Sequence, residues 1–289
     1  MTIEFKPLCD AIGAEVKGIN VADDHSDQEI SEVRKGWLQY GILLFRNQSL
    51  TVEQQKRFTR KFGKLMGPQH PNSKPKIPEH PEVGVFSNIQ VNGQYIGARP
   101  DRSHGDAWHS DASFLTEPAG GSFFYAKETP EKGGDDTSYA NMVKAYSALP
   151  DDSKEKLHGL SWTYSHIQNF KLHKPDSLEF SEDEKLQLPD VTHPFVRTHP
   201  ETGEKVLFVG VLDSRVTSVP GMSKEEGTNF LDELRAFATQ PQFTYAHPWK
   251  PGDCILWDNR CTMHRGSNFP EANGRRLCYR VTTYGGVPY

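Results

Sequence analysis

The stretch GDCILWDNRCTMHRG, residues 252–266, joins a strongly apolar strand pattern to a histidine through a turn signal at Asp258-Asn259. Short apolar segments of the same kind recur between glycine and proline residues, and they are GSFFYAKE, DTSYAN, HPFVRTHP, KVLFVG and RLCYRVTTY. Many short strands separated by turn signals are typical of a β-sandwich or a jelly roll. We therefore predict a mainly β core that is built from two sheets.

Helical segments flank this predicted core. Three of them begin with a capping box, in which a serine or threonine precedes Glu or Gln by three residues, and they span residues 26–41, 51–63 and 223–240. A fourth helical segment, residues 141–160, contains Pro150, which we expect to break it. No internal repeat or linker-like change of composition divides the chain. The sequence therefore predicts a single α+β domain over residues 1–289, with helices packed around the β core.

Composition and charge narrow the class of protein. The 289 residues carry a formal net charge of −5 without a basic run, so we expect no nucleic-acid partner. No apolar stretch approaches the roughly 20 residues that span a bilayer, and the first residues lack the pattern of a signal peptide, so we expect no membrane partner. The four cysteines form no CxxC pair and are predicted to be free thiols in a reducing compartment. These features indicate a cytoplasmic location.

The segment AWHSDASF places His109 and Asp111 two residues apart in a strand-like setting. Side chains alternate along a strand, so both would project from one face and lie close enough to bind one ion. A second histidine, His264, follows the apolar strand DCILWD, residues 253–258. Two histidines and one carboxylate leave coordination positions open and are typical of non-haem Fe(II) oxygenases. Spacing alone also allows a half-exposed polar face at the H-x-D pair and a structural role for His264.

The last predicted strand, RRLCYRVTTY, contains three arginines. Alternation puts Arg276 and Arg280 on one face, about 13 Å apart at about 3.3 Å per residue, and Arg275 on the other. An arginine that faces the interior needs an anionic partner, and a carboxylate matches its fork. The opposite arrangement, with the arginines in solvent and the apolar residues inside, agrees better with alternation alone. The direction of this face therefore stays open at this point.

Several longer segments resemble the taurine dioxygenase and 2,4-dichlorophenoxyacetate dioxygenase family of Fe(II)/2-oxoglutarate oxygenases. The similarity covers nearly the whole chain, in GAEVKGINV, LLFRNQSLTVEQQKRFTRKFG, AWHSDASF, GGDDTSYANMVKAYSAL, THPFVRTHPETGEKVLFV, WDNRCTMHR and RRLCYRVT. By this resemblance the fold is a double-stranded β-helix (jelly roll) with flanking helices. The resemblance also implies that His109, Asp111 and His264 are the iron ligands.

The same resemblance assigns residues to the cosubstrate, 2-oxoglutarate. Arg276 would bind its distal carboxylate, and Thr137 would donate a hydroxyl hydrogen bond to the carboxylate nearer the iron. Arg280 matches the position that holds the acidic group of the substrate in taurine dioxygenase. The family motif GGDT is one residue longer in this chain, GGDDT, so the register around Asp135 and Asp136 departs from the family pattern.

These residues imply a dioxygenase that uses Fe(II), 2-oxoglutarate and O2. It would hydroxylate a small or medium organic acid bearing a carboxylate or a sulfonate, and it would release succinate and CO2. Where the new hydroxyl lies beside a heteroatom, the product would then be cleaved. Members of this family are often dimers or higher oligomers, so the resemblance implies a homo-oligomer.

Residues 68–106 are rich in Pro, Gly, His and Asn, and long loops inside compact domains are often functional. This segment lies where the family builds its active-site lid. His70 lies near the position of a sulfonate-binding histidine, and Asn88 and His104 are further candidates for the substrate pocket, although each can be an ordinary polar loop residue. An asparagine that taurine dioxygenase uses before the H-x-D pair is absent from SHGDAW, residues 103–108, so we expect an acid larger than taurine.

Two other functions would use the same residues differently. A zinc-dependent hydrolase can bind its metal through His109, Asp111 and His264, but the chain has no HExxH-like element and Arg276 would have no task. A jelly-roll binding protein without catalysis is the second alternative. The intact ligand set, together with Thr137 and Arg276, counts against it.

Overall fold

The computed structural model describes residues 2–68, 76–97, 107–173, 180–211, 213–267 and 273–289. Its strands in chain order are β1 (Glu4–Pro7), β2 (Ala14–Lys17), β3 (Ile42–Phe45), β4 (Val83–Ser87), β5 (Gln90–Val91), β6 (Gln94–Tyr95), β7 (Ala119–Glu128), β8 (Thr137–Asn141), β9 (Ser161–Tyr164), β10 (Val191–Pro194), β11 (Val196–Thr198), β12 (Lys205–Leu207), β13 (Thr217–Ser218), β14 (Thr244–His247), β15 (Cys254–Asp258), β16 (Thr262–Gly266) and β17 (Leu277–Tyr284). Its helices are α1 (Asp27–Tyr40), α2 (Val52–Arg60), α3 (Met142–Ser147), α4 (Asp151–Leu157), α5 (His166–His173), α6 (Glu182–Gln187) and α7 (Lys224–Ala238), with short 3-10 turns at Ser214–Val216 and Pro241–Phe243.

Two sheets form the core. The larger has seven strands in the order β1-β2-β3-β15-β7-β17-β4, in which β2 and β3 pair in parallel and the other neighbours are antiparallel. The second is the antiparallel sheet β14-β8-β16. Phe124, Ile255 and Cys278 of the larger sheet pack with Tyr139 of β8 in one buried cluster. The predicted mainly β core is therefore present, and the two sheets share an interior.

The three predicted capping boxes are all present, and each begins a helix. In each box the hydroxyl accepts a backbone N–H three residues on, and the Glu or Gln side chain bonds back to the cap, so two otherwise unpaired donors are satisfied. The apolar side of α1 buries Val33 and Trp37. Phe58 of α2 packs with Phe45 and Phe123 of the larger sheet in the same cluster. These two helices therefore cover the outer face of the larger sheet.

Some elements differ from the sequence predictions. Pro150 separates α3 from α4, as predicted. The helices α5 and α6 were not predicted, although Ser181 and Glu184 form a further capping box before α6. The strands β1 and β2 were not predicted either, because β1 is largely exposed and shows no apolar alternation. Short strands at a sheet edge leave little hydrophobic pattern in the sequence.

The predicted lid, residues 68–106, is described in part. β4 adds to the edge of the larger sheet beside β17. β5 and β6 form a hairpin whose turn residues Asn92 and Gly93 have φ values of 52° and 76°, as a type I′ turn requires. The described portion of this segment therefore includes a strand of the main sheet. Residues 69–75 and 98–106 lie outside the described residues.

The cysteines agree with the sequence prediction. All four are free thiols, and Cys254, Cys261 and Cys278 are buried. Burial raises the pKa of each of these three thiols, so they are protonated at neutral pH and poor nucleophiles. Within the described ranges, no helix combines the length and the apolar character that crossing a bilayer requires.

Candidate metal and cosubstrate site

Two of the predicted iron ligands face each other across a pair of backbone segments. The N–H of His109 donates to the carbonyl of His264 at 2.9 Å, and the N–H of His264 donates back at 2.8 Å. The two ring centroids are 4.3 Å apart. The Nδ1 of His109 lies 2.8 Å from the carbonyl oxygen of Ala107. A carbonyl only accepts, so Nδ1 carries the proton and Nε2 keeps its lone pair for a metal.

Asp111 completes a cluster of three possible ligands. Its Oδ1 lies 3.9 Å from the Nε2 of His109 and 3.8 Å from the Nε2 of His264. The three ligand atoms lie within 4.8 Å of one another. Metal bonds of about 2.0–2.2 Å allow two ligand atoms of one ion to be up to about 4.4 Å apart, so one ion fits between the carboxylate and each imidazole. Ala112 has a left-handed φ of 54°, which turns the chain directly after Asp111.

Burial and charge set the protonation of these three groups. Burial above all lowers the pKa of His264 to about 3, and burial likewise lowers the pKa of His109. For Asp111 burial favours the neutral form, but the charge of Arg280 and the other surroundings outweigh it and lower the pKa to about 2. At neutral pH the cluster offers two neutral imidazoles and one carboxylate. These are the forms that bind a metal.

Asn259 and Ser122 hold Asp111 in place. The Oδ1 of Asn259 accepts the backbone N–H of Asp111 at 3.1 Å, and its Nδ2 donates to the hydroxyl of Ser122 at 3.0 Å. That hydroxyl donates to Oδ2 of Asp111 at 2.8 Å, and the indole N–H of Trp257 donates to Oδ1 of Asn259 at 2.9 Å. The sequence predicted only a turn at Asn259, because these partners are 148 and 137 residues away in the chain.

Arg280 lies directly beside the cluster. Its Nη1 donates to Oδ1 of Asp111 at 2.7 Å, and its side chain is 23% exposed. The guanidinium lies over the ring of Phe86 on β4, 4.9 Å from the ring centroid. A guanidinium has five N–H donors, so this contact leaves further donors for an anion. Phe86 carries no sequence signal for a site and was not predicted.

The burial of two neighbouring residues on β17 shows which way its arginines face. Cys278 packs between the two sheets, whereas Tyr279 packs on the opposite face, against the cluster under α1 and α2. Arg276 and Arg280 lie on the side of Cys278, toward the interior. Arg275 is exposed and bonds to a surface glutamate. The shared face that alternation predicted is present, and it is the inward one.

Arg276 lies at the other end of this interior from Arg280. Its Nε donates to Oδ2 of Asp135 at 3.2 Å, and its guanidinium lies 5.7 Å from the ring centroid of Phe124. Asp135, Thr137 and Tyr139 are buried, and the residues between them are half-buried. The extra residue of GGDDT therefore leaves an aspartate on the same inward face as Thr137. Burial raises the pKa of Asp135, and the charge of Arg276 opposes that shift.

Thr137 lies toward Arg276 along β8. Its hydroxyl oxygen accepts the indole N–H of Trp249 at 2.9 Å, so the hydroxyl proton is directed elsewhere. The Trp249 ring lies 5.1 Å from the ring of Phe124, over which Arg276 lies. The cross-strand partner of Thr137 on β16 is two residues past His264. Thr137 is thus displaced along β8 from the ligand cluster in the direction of Arg276.

Of the three remaining residues predicted to line the substrate pocket, the structure describes only Asn88. The Oδ1 of Asn88 accepts the backbone N–H of Arg276 at 2.8 Å, and its Nδ2 donates to the carbonyl of Gly274 at 2.8 Å. Both ends of this amide hold the start of β17, and the place of Asn88 in a substrate pocket stays a prediction. His70 and His104 lie outside the described residues.

A second group, His199, Asp258 and Cys261, also brings possible metal ligands together, but it is an ion-pair network. Arg260 donates to both oxygens of Asp258, from Nε at 2.8 Å and from Nη2 at 2.6 Å, and the Nε2 of His199 lies 3.1 Å from Oδ2. Arg260 also donates to Glu201 at 2.6 Å. These bonds occupy the carboxylate, and burial raises the pKa of the Cys261 thiol well above its ordinary value. The group therefore stabilises the turn after β15.

A two-sheet core with two neutral histidines and one carboxylate in its interior is typical of mononuclear non-haem iron oxygenases. The chain matches the family model described as taurine catabolism dioxygenase TauD, TfdA family over residues 4–282. It is 35% identical to the alpha-ketoglutarate-dependent 2,4-dichlorophenoxyacetate dioxygenase of Burkholderia sp. (strain RASC), covering 99% of this chain and 95% of that protein. It is 33% identical to the (S)-phenoxypropionate/alpha-ketoglutarate-dioxygenase of Sphingobium herbicidovorans, covering 91% of this chain and 89% of that protein.

The three-dimensional comparison agrees with the sequence comparison. The crystal structure of AAD-2 in complex with Mn(II) and N-oxalylglycine matches this fold with a TM-score of 0.80 and 29% sequence identity, covering 100% of this chain and 99% of that one. This chain therefore belongs to the TauD, TfdA family. It is an alpha-ketoglutarate-dependent dioxygenase that uses Fe(II), 2-oxoglutarate and O2. These comparisons confirm the prediction of a dioxygenase and do not support the two alternatives, a zinc-dependent hydrolase and a non-catalytic binding protein.

Proposed function

We propose that this dioxygenase hydroxylates a small or medium organic acid, held by its carboxylate or sulfonate beside the metal, and releases succinate and CO2. One observation supports this most strongly: Arg280 contacts Asp111 itself, and Arg276 lies on the same inward face of the chain. Bound Fe(II), with 2-oxoglutarate and O2, supplies the oxidant that converts a C–H bond of the substrate into C–OH. The side chains of the protein bind and orient the reactants.

We propose His109, Asp111 and His264 as the iron ligands. Their donor atoms suit Fe(II), because two imidazole nitrogens and one carboxylate oxygen leave positions open for the cosubstrate and O2. The carbonyl of Ala107 fixes the ring of His109, and the hydroxyl of Ser122 fixes the carboxylate of Asp111. Such outer contacts orient the ligands and keep them in the binding form.

We propose that Arg276 anchors the distal carboxylate of 2-oxoglutarate and that Thr137 also binds this carboxylate. The partner of Thr137 on β16 lies two residues past His264, which is about 7 Å along a strand. Thr137 is therefore assigned to the distal carboxylate instead of the one nearer the metal. Trp249 bonds to its oxygen, so its proton can be donated to the cosubstrate. Asp135 holds the Nε of Arg276 and orients the fork of the guanidinium.

We propose that the acid group of the substrate binds Arg280 and that its body lies against Phe86. The aromatic ring stacked on the guanidinium gives this position a flat apolar wall next to a cation. An aryl acid has the matching shape and charge. Two similar proteins are named for 2,4-dichlorophenoxyacetate and (S)-phenoxypropionate, which are acids of this kind. Residues 68–106 would supply the rest of the lid.

We also infer that the two core sheets form a double-stranded β-helix, or jelly roll. The strand β7 of the larger sheet is followed by β8 of the smaller one, and the last four strands alternate, with β14 and β16 in the smaller sheet and β15 and β17 in the larger. The free thiols support a cytoplasmic enzyme. A homo-oligomer stays a prediction, which light scattering of the purified protein would test.

Succinate formation tests the proposed substrate class. The enzyme would be supplied with Fe(II), 2-oxoglutarate and O2, and challenged with aryloxyacetates, arylpropionates, alkanesulfonates and alkyl sulfates. We expect at least one aryl acid to raise succinate formation above the rate without substrate, with an equal amount of hydroxylated or cleaved product. A protein that binds 2-oxoglutarate but responds to none of the acids would contradict the proposed substrate class.

We predict that Arg280→Gln raises the KM for the organic acid by about 10-fold or more, because it removes a hydrogen-bonded cation from a charged partner. The KM for 2-oxoglutarate should change less, since that cosubstrate is assigned to Arg276. Arg275→Gln is the matched control, because Arg275 lies on the same segment but faces solvent. Steady-state kinetics that show the opposite pattern, with only the 2-oxoglutarate KM raised, would contradict the assignment.

A further inference from the structure

The hydroxyl of Tyr139 is buried in the core, where no described group of the protein bonds to it. Tyr139 is 0% exposed, and its hydroxyl has no hydrogen-bond partner within the part of the chain that the structure describes. A buried hydroxyl that gives up water without gaining a partner is costly, so such groups usually bond to a ligand or to an ordered water. The family resemblance assigned a role in cosubstrate binding to Thr137 of this segment and no role to Tyr139.

The position of this hydroxyl favours a ligand. Tyr139 is the cross-strand partner of His264, and the two rings lie 6.2 Å apart at an interplanar angle of 28°. Thr137, two residues earlier, shares its inward face. Tyr139 therefore lies beside the predicted ligand His264, on the strand and inward face that also carry Thr137, where 2-oxoglutarate is proposed to bind.

The chemistry of the hydroxyl fits an anionic acceptor. A tyrosine hydroxyl is neutral at neutral pH, so it can donate its proton to a hydrogen-bond acceptor. Hydrogen bonds from a hydroxyl to an ionised oxygen are short and about twice as strong as neutral ones. A carboxylate of the cosubstrate is such an acceptor.

We propose that Tyr139 is a cosubstrate-binding residue, whose hydroxyl donates a hydrogen bond to the end of 2-oxoglutarate nearer the metal. Arg276 and Thr137 hold the distal end, so the cosubstrate is bound at both ends by side chains of the protein. This proposal rests on the proposed function and adds a binding residue to it. It also gives the buried hydroxyl the acceptor that the described protein groups do not provide.

The variant Tyr139→Phe tests this proposal with two readouts. The first is an anaerobic titration of the Fe(II)-loaded enzyme with 2-oxoglutarate, followed by its weak visible charge-transfer band. We expect the Kd for 2-oxoglutarate to rise about 10-fold, as for a lost hydrogen bond to a charged group, and the band to shift because the bond is at the metal end. The second readout is the thermal midpoint without metal or cosubstrate. It should be unchanged or higher, because no bond to protein is lost.

Tyr164→Phe is the matched control. The hydroxyl of Tyr164 is also buried and without a partner among the described residues, but its ring packs in a separate core cluster with Trp162. This variant should leave the Kd for 2-oxoglutarate unchanged. The control separates the general effect of deleting a buried hydroxyl from the specific effect at the cosubstrate.

Other outcomes would overturn the proposal. An unchanged Kd in Tyr139→Phe, with or without a lower thermal midpoint, would show that the hydroxyl does not bind the cosubstrate. A raised Kd with an unmoved band would contradict its placement at the metal end. If the wild-type protein itself gave no band with Fe(II) and 2-oxoglutarate, the proposed function would fail, and this inference with it.

Discussion

Asp111→Asn is expected to lose 2-oxoglutarate turnover and to weaken metal binding by more than about 100-fold, the upper effect of losing an outer partner of a metal ligand. The amide has nearly the size of the carboxylate, but it lacks the charge that the metal and Arg280 both need. Its N–H2 end would also place a donor where an acceptor is required. Isothermal titration with Mn(II), together with succinate formation under turnover, measures both losses.

Folding of this variant must be separated from its chemistry. Asp111→Asn leaves the Arg280 guanidinium without its carboxylate partner, so circular dichroism should first confirm a folded protein. His109→Ala is a second test of the same cluster, because within the described residues the one side-chain hydrogen bond of His109 is to the Ala107 carbonyl. Asp151→Asn, on the exposed surface of α4, is the control for the chemical change. Unaltered Mn(II) affinity in folded Asp111→Asn would exclude the carboxylate as a ligand.

Asp258→Asn is expected to lower the free energy of unfolding by about 3–5 kcal/mol, the cost of breaking a buried ion pair by removing one partner. Asp258 accepts two side-chain bonds from Arg260 and lies 3.1 Å from the Nε2 of His199. The Arg260 guanidinium also lies over the ring of Trp37, 4.8 Å from its centroid. Losing the carboxylate leaves a buried cation without its main partner. Urea denaturation of wild type and variant measures the difference.

The dependence on pH follows from the same carboxylate. Burial favours the neutral form of Asp258, but the charge and hydrogen bonds of Arg260, with those of His199, lower its pKa. A carboxyl group whose pKa is lowered by folding stabilises the protein above its unfolded pKa of about 3.9 and loses that contribution as pH falls below it. The difference between wild type and Asp258→Asn should therefore shrink below about pH 4.

Glu201→Gln is the matched control for this network. Glu201 bonds to Arg260 and to Arg34, but its side chain is 26% exposed. Pairs near the surface contribute about 1 kcal/mol or less, so this variant should lose far less stability. Equal losses in Glu201→Gln and Asp258→Asn would contradict the view that burial of the Asp258 carboxylate makes it the central group.

Only part of the metal cluster has a local signal in the sequence. An H-x-D pair on a strand puts both side chains on one face, but the third member, His264, lies far along the chain, and the family resemblance was needed to join it to the pair. The direction of the arginines was harder to predict. Both faces of β17 are buried, one under α1 and α2 and the other between the sheets, so apolar alternation does not distinguish inside from outside.

The residues that support the site left no such signal. Asn259 is a turn residue in the sequence, and its role depends on bonds to Asp111 and Ser122 far away in the chain. In the sequence, Trp249 has the character of an ordinary core residue. In the structure its indole N–H donates to the hydroxyl oxygen of Thr137, 112 residues away. Side-chain contacts of this kind depend on the packing of the two sheets. They follow from tertiary structure and have no period or motif of their own.

The central claim is that the interior between the two sheets binds Fe(II) and 2-oxoglutarate together, with Arg276 as the cosubstrate anchor. An anaerobic titration of the Fe(II)-loaded protein with 2-oxoglutarate tests it most directly. We predict a weak visible charge-transfer band that saturates with 2-oxoglutarate in the wild type and needs about 10-fold or more cosubstrate in Arg276→Ala. The absence of a band in the wild type, or an identical titration curve in Arg276→Ala, would contradict the claim.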